Sequence, residues 1–190
     1  MQSTKLIKLV KVIETQGNKL IFEEYLTNEY FYTIPPSGQA VVFLKSKNKV
    51  YNINRVKKTL TEIVDSSKLN AIQQLKAALN ETNVETEIVG EKELFKVRSK
   101  GNNITIMADF LKAKDNRLKD TLYLANSLYQ SKMSIVLLPL ENEDDIILEG
   151  TIDMNIHGNF IKTKFQITEI EELHEKVTRF DEILSYSIAA

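Results

Sequence analysis

Phe43, Lys45, Lys47, Lys49 and Tyr51 occupy alternating positions, with Val42, Leu44 and Val50 between them. Side chains alternate across a strand, so this spacing predicts cations and aromatic rings on one face and aliphatic groups on the other. Cations so arranged can follow a phosphate backbone, and the rings can stack on bases. Arg55, Lys57 and Lys58 extend the charge, and no acid occurs between Gly38 and Thr61. Lys96, Arg98 and Lys100 repeat the parity, opposite Phe95 and Val97. Lysines on hairpin arms also have a plain structural use, since they keep sheet edges soluble. A whole-chain pI near 6.2 lacks the basic signature of a dedicated nucleic-acid binder.

Other chemistries have less to work with. The 190-residue chain has no cysteine and two histidines, His157 and His174. Thiolate catalysis, disulfides and cysteine metal sites are therefore excluded. His157 stands beside Gly158 at an expected turn, and His174 on an expected helix away from its apolar seam. No nucleophile elbow, phosphate-binding loop or dinucleotide fingerprint occurs among the six glycines. Glu141, Glu143, Asp144 and Asp145 offer oxygen ligands but lack the spacing of a calcium loop and read as a solvated acidic loop. No catalytic residue, metal ligand or cofactor is assigned.

Charge is distributed unevenly. Residues 1–58 hold ten Lys/Arg against four Asp/Glu, and residues 139–190 hold four against twelve. Oppositely charged ends attract within a chain or between chains, which suits head-to-tail association. The composition is that of a globular chain, 43% hydrophobic and 27% charged. The absence of cysteine, of an uninterrupted apolar leader and of any long apolar run points to a soluble cytoplasmic protein with no membrane association.

The elements that must position these residues read as an α+β fold. About four β-hairpins are expected: 5–14 with 19–26, 39–46 with 49–53, 93–99 with 102–108, and 146–156 with 159–167. Further short strands are expected at 83–89 and 134–138. Helices are expected over 55–65, 68–80 and 114–131. A C-terminal helix over 168–187 has Thr168 and Glu171 at capping-box spacing, and Ile170, Leu173, Val177, Phe180 and Leu184 as an apolar seam. That helix is expected to pack on the antiparallel sheet. A single domain over 1–190 is expected, with a weak division near 81–90 suggested by the likeness of two hairpins.

The function these features favour is a non-catalytic binding or assembly protein acting through protein–protein contacts, including self-association. The alternative is a nucleic-acid-binding protein using 43–58 and 96–100. An enzyme without a recognisable motif stands third.

Overall fold

Aliphatic side chains occupy both faces of the first strand, β1 (Thr4–Thr15): Ile7 and Leu9 on one, Leu6, Val10 and Val12 on the other. Such a strand has to be covered twice. A computed structural model describes residues 4–64, 66–132, 134–175 and 180–189. In it β1 lies at the middle of a 12-stranded sheet.

From β1 an antiparallel meander runs through β2 (Asn18–Leu26), β3 (Tyr30–Ile34), β4 (Val41–Leu44), β5 (Lys49–Asn54) and β6 (Thr59–Glu62). Helix α1 (Ser66–Ala78) leads to a second series at the far end of the sheet: β7 (Leu79–Val89), β8 (Lys92–Gly101) and β9 (Ile104–Lys114). A 3-10 turn at Asn116–Leu118 and helix α2 (Tyr123–Ser131) precede β10 (Asp145–Ile156) and β11 (Asn159–Glu175). The strand order is β12-β6-β5-β4-β3-β2-β1-β11-β10-β9-β8-β7, with β12 (Ser187–Ile188) parallel to β6. Antiparallel pairing of β1 with β11, Leu9 opposite Ile170, joins the two series. Gln16-Gly17 and His157-Gly158 form two-residue hairpin turns with positive φ at both positions, the geometry whose twist matches that of the strands.

The connection through α1 requires the sheet to curl. Ten strand spacings separate β6 from β7, about 48 Å in a flat sheet. The 13 residues of α1 span about 20 Å, and residues 63–65 add at most about 10 Å. The two ends must therefore approach each other around a concave face. One core fills that face, uniting Phe31, Phe43 and Val50 from one half with Ile106 and Phe110 from the other, beneath Leu122 and Tyr123 of the α2 region. A second core covers only the β1–β6 half of the convex face, where Tyr25, Tyr30, Tyr32, Tyr51 and Leu60 meet Phe180 and Ile183.

The α+β expectation is overturned: the chain is mostly β, with two α-helices among the described residues. The residues expected to form a C-terminal helix continue β11 to Glu175, and a 3-10 helix follows at Asp181–Ser185; Val177 lies outside the described residues. The three-residue spacing of Ile170 and Leu173 places them on opposite faces of a strand, and each packs against a different core. Doubly covered strands lose strict alternation, which is why this one imitates a helix in sequence. The helix expected over 55–65 is a turn followed by β6. Asn54 Oδ1 accepts the Lys57 N–H, and Lys58 has a φ of 51°. Over 114–131 the helix is confined to α2, because β9 runs to Lys114 and Asp120, at φ 60°, interrupts the helical path. Residues 134–138 form no strand. The hairpin expectations and the helix beginning near residue 68 match the observed elements closely.

Candidate binding surfaces

The alternating basic positions do not form the single aromatic and cationic face that their numbering suggests. A four-residue turn at 45–48 separates the arms, so Phe43 pairs with Val50 and Val42 with Tyr51. Phe43 consequently points into the concave core, its ring 5.5 Å from that of Tyr129, while Tyr51 lies in the convex core. Both rings are buried. Lys49 pairs with Glu62 at 2.9 Å and Lys58 with Glu182 at 3.1 Å. Arg55 donates to the Tyr32 hydroxyl at 2.8 Å and lies 5.8 Å from the Tyr32 and Phe180 ring centres. Lys45, Lys47 and Lys57 are exposed and make no ion pair among the described residues.

On the second basic strand, Lys96 pairs with Glu87 at 4.0 Å, Arg98 with Asp109 at 2.9 Å and Lys100 with Glu81 at 3.6 Å. Eight strand spacings separate β5 from β8, about 38 Å along the convex face. The stretches 45–58 and 96–100 thus lie on strands and turns from different halves of the sheet.

Strand β7 is the exposed edge. It is 11 residues long, and every residue from Asn80 to Val89 is exposed. Alternate residues of an edge strand turn their N–H and C=O groups away from the sheet. Lysine and proline, two common protectors of such edges, are absent from 80–89; its charges are Glu81, Glu85 and Glu87, and the one irregularity is a bulge between Leu79 and Glu81. Thr82, Val84, Thr86 and Ile88 share the concave-side face, with Val84 57% and Ile88 77% exposed. Glu81, Glu85 and Glu87 share the other, beside the cations of β8.

A cavity of about 270 Å³ lies between α2 and the concave face of β1–β3. Lys11 and Glu24, from neighbouring strands, meet there at 3.1 Å. The Glu24 side chain is buried, and its Oε2 has no hydrogen-bond partner among the described residues. Lys11 keeps 26% of its side chain accessible and lines the cavity. Burial works to lower the Lys11 pKa, but the charge of Glu24, with smaller contributions from Tyr123 and from the Glu24 hydrogen bond, outweighs it and holds the ammonium above its ordinary value. The Tyr123 hydroxyl is pushed up by burial and by the Glu24 charge. Asn126, Ser127 and Gln130 of α2 complete the polar wall, with Phe22, Phe31 and Phe165 opposite.

A larger depression of about 530 Å³ on the convex face is rimmed by exposed Lys19, Glu149, Lys164 and Gln166. Its long, solvated side chains lack the fixed convergence of the α2 cavity. Among the described residues no cluster of three or more His, Asp or Glu is placed to hold a metal, and no helix is long and apolar enough to cross a membrane. His157 sits at a turn, and His174 lies on β11 beside Glu172 at 3.0 Å.

Sequence reasoning missed Lys11, Glu24 and Tyr123 as a group. The only available signal was Lys11 and Glu24 at positions that a two-residue Gln16-Gly17 turn sends to the same face. The β7 edge also left a trace, as a strand expected over 83–89.

No protein-family model matches this chain, and no curated protein does. Two solved structures align with most of it, each at a TM-score of 0.43. PNGF-II shares 9% identity over 97% of this chain and 30% of its own. MucB in complex with MucA(peri) shares 12% identity over 94% of this chain and 53% of its own. This chain therefore spans well under two thirds of either, and neither likeness carries a functional argument.

Proposed function

We propose that this chain is a non-catalytic binding protein acting through protein–protein contacts, and that β7 is its docking edge. The observation that supports this reading is the long, exposed edge from Asn80 to Val89, free of lysine and proline. An extended segment of a partner adds there as a further strand, gaining main-chain hydrogen bonds. Charge indicates the segment's chemistry. The convex side of β8 carries Lys96, Arg98 and Lys100, and that of β7 carries Glu81, Glu85 and Glu87. A strand with Lys or Arg at alternate positions continues this alternation, and its apolar residues lie beside Val84 and Ile88. A second copy of β7 in antiparallel pairing brings glutamates together instead, which is unfavourable.

The nucleic-acid reading has weaker support. Phe43 and Tyr51 are buried, and Lys49, Lys58, Lys96, Arg98 and Lys100 are already paired with carboxylates.

The test uses short peptides alternating lysine with valine or glutamate with valine, with amide hydrogen exchange read along 80–89. The lysine peptide is expected to bind and to protect the outward amides of β7, while the glutamate peptide does not. Val84→Lys with Glu85→Lys is expected to abolish binding and, as an exposed change, to alter stability by no more than about 0.5 kcal/mol. Equal binding of both peptides, or binding without protection of β7, refutes the reading.

A further inference from the structure

We propose that the cavity under α2 is a binding site for a small uncharged molecule with an apolar body and an amide-like group. This inference is independent of the β7 edge. Its first support is the orientation of α2. A helix seated on a core ordinarily turns an apolar stripe inward. Around this cavity α2 instead presents Tyr123, Asn126, Ser127 and Gln130. Asn126 is 4% exposed and Ser127 half-buried, so this polar wall reaches into the interior, with exposed Gln130 at its rim.

The second support is the Lys11–Glu24 pair. A buried ion pair needs further hydrogen bonds to offset desolvation. One Lys11–Glu24 contact at 3.1 Å leaves the ammonium with N–H donors to spare and Glu24 Oε2 without a donor among the described residues. A ligand carrying both a carbonyl oxygen and an N–H group supplies each missing partner. Phe22, Phe31 and Phe165 give its apolar part a wall. The volume, about 270 Å³, equals roughly nine water molecules, which suits a compact molecule.

The pair also determines ligand charge. Lys11 and Glu24 sum to zero, so a charged ligand enters the site without a net counter-charge and loses its hydration. Removing either partner reverses this preference. Glu24→Gln leaves a cation that favours an anion, and Lys11→Met leaves a carboxylate that favours a cation.

Three similarly shaped compounds test the proposal on the full chain: phenylacetamide, phenylacetate and phenethylammonium, titrated by ligand-observed NMR. Phenylacetamide is expected to bind in the millimolar range, and the two ions roughly tenfold more weakly or worse. Phenylacetate is expected to become the best ligand of Glu24→Gln, and phenethylammonium that of Lys11→Met. Ser127→Phe, which fills the cavity from α2, is expected to remove phenylacetamide binding while the circular dichroism spectrum is kept. Should the charge variants fail to fold, the wild-type series and Ser127→Phe still decide. No saturation by phenylacetamide, equal binding of all three compounds, or binding that survives Ser127→Phe overturns the proposal, and the first outcome identifies a cavity that holds only water.

Discussion

Replacing Asp145 by asparagine removes the most strongly held carboxylate of the described chain, and the size of the effect follows from its surroundings. Asp145 begins β10, and its side chain is fully buried. Lys114 Nζ stands 2.7 Å from Oδ1. The backbone N–H groups of Glu141 and Asn142 each donate to Oδ2 at 2.9 Å, and Lys112 Nζ lies at 3.6 Å. Burial alone pushes the carboxyl upward. The Lys114 ammonium against Oδ1 and the two backbone donors to Oδ2 outweigh it and hold the group at about 2, against an ordinary 3.8. A depression of that size corresponds to about 2 kcal/mol favouring the ionised folded state. Because the folded value is the lower one, this stability is complete above the ordinary carboxylate value and is lost as pH falls through about 2. At pH 7, Asp145→Asn is expected to lower stability by about 2–4 kcal/mol, since it also takes a buried carboxylate from Lys112 and Lys114, which keep only the longer contacts to Glu93 and Asp144 at 3.4 Å each. For a chain of this length that is a Tm decrease of roughly 4–16 °C. The assay is urea unfolding followed by circular dichroism, for both proteins, from pH 7 down to pH 2. Subtracting one protein from the other cancels the remaining carboxylates. The difference is expected to shrink by about 2 kcal/mol below pH 4. A difference that stays constant with pH refutes the reasoning, because it means that the substitution costs stability through shape and not through charge.

At alkaline pH the Lys11 site acts in the opposite sense. The raised folded value of Lys11 means stability that is intact below about pH 10 and lost as pH rises through it, so Lys11→Met is expected to remove that part of the fall in urea midpoint between pH 9 and pH 11, while the part that belongs to Tyr123 stays. Phe180 stacks on Tyr32 at 4.2 Å and caps the convex core, so Phe180→Ala is expected to cost about 3–5 kcal/mol in denaturant unfolding. A Cβ at Gly150 meets Phe165 Cε1 at 2.6 Å and Phe110 Cδ1 at 2.8 Å, so Gly150→Ala is expected to cost about 1–3 kcal/mol, and Phe165→Leu in the same chain to recover part of it. Lys45→Glu with Lys47→Glu touches only exposed, unpaired positions and is expected to leave unfolding and lysine-peptide binding unchanged.

The parts of the fold legible in the sequence are those set locally. Gln16-Gly17 and His157-Gly158 dictate two-residue turns by backbone conformation alone, and the strands beside them lie within a few residues of their expected bounds. Non-local pairing was illegible. Thr168–Glu175 has a helical composition and a capping-box start, yet Glu169–Glu175 pairs with Thr4–Val10 of β1, a partner at the other end of the sequence. Parity failed at 43–51 for a related reason, since a four-residue turn changes which residues face one another. The Lys11–Glu24 pair depends on register, and the inward polar side of α2 depends on packing, so neither could be read from composition.

The pairing of β1 with β11 has a consequence for synthesis. Leu9 and its partner Ile170 are 161 positions apart. At roughly 5–20 residues per second, β1 leaves the ribosome about 8–30 s before its neighbour exists. Throughout that interval the first six strands carry a bare hydrophobic edge on what becomes the centre of the sheet, and β7 to β10 have nothing to join. The nascent chain is therefore most exposed to misassembly at the strand that ends up best protected, and chaperone capture or peptide trapping of the unfinished chain is expected to map to Leu6–Val12, not to the permanent edge at β7.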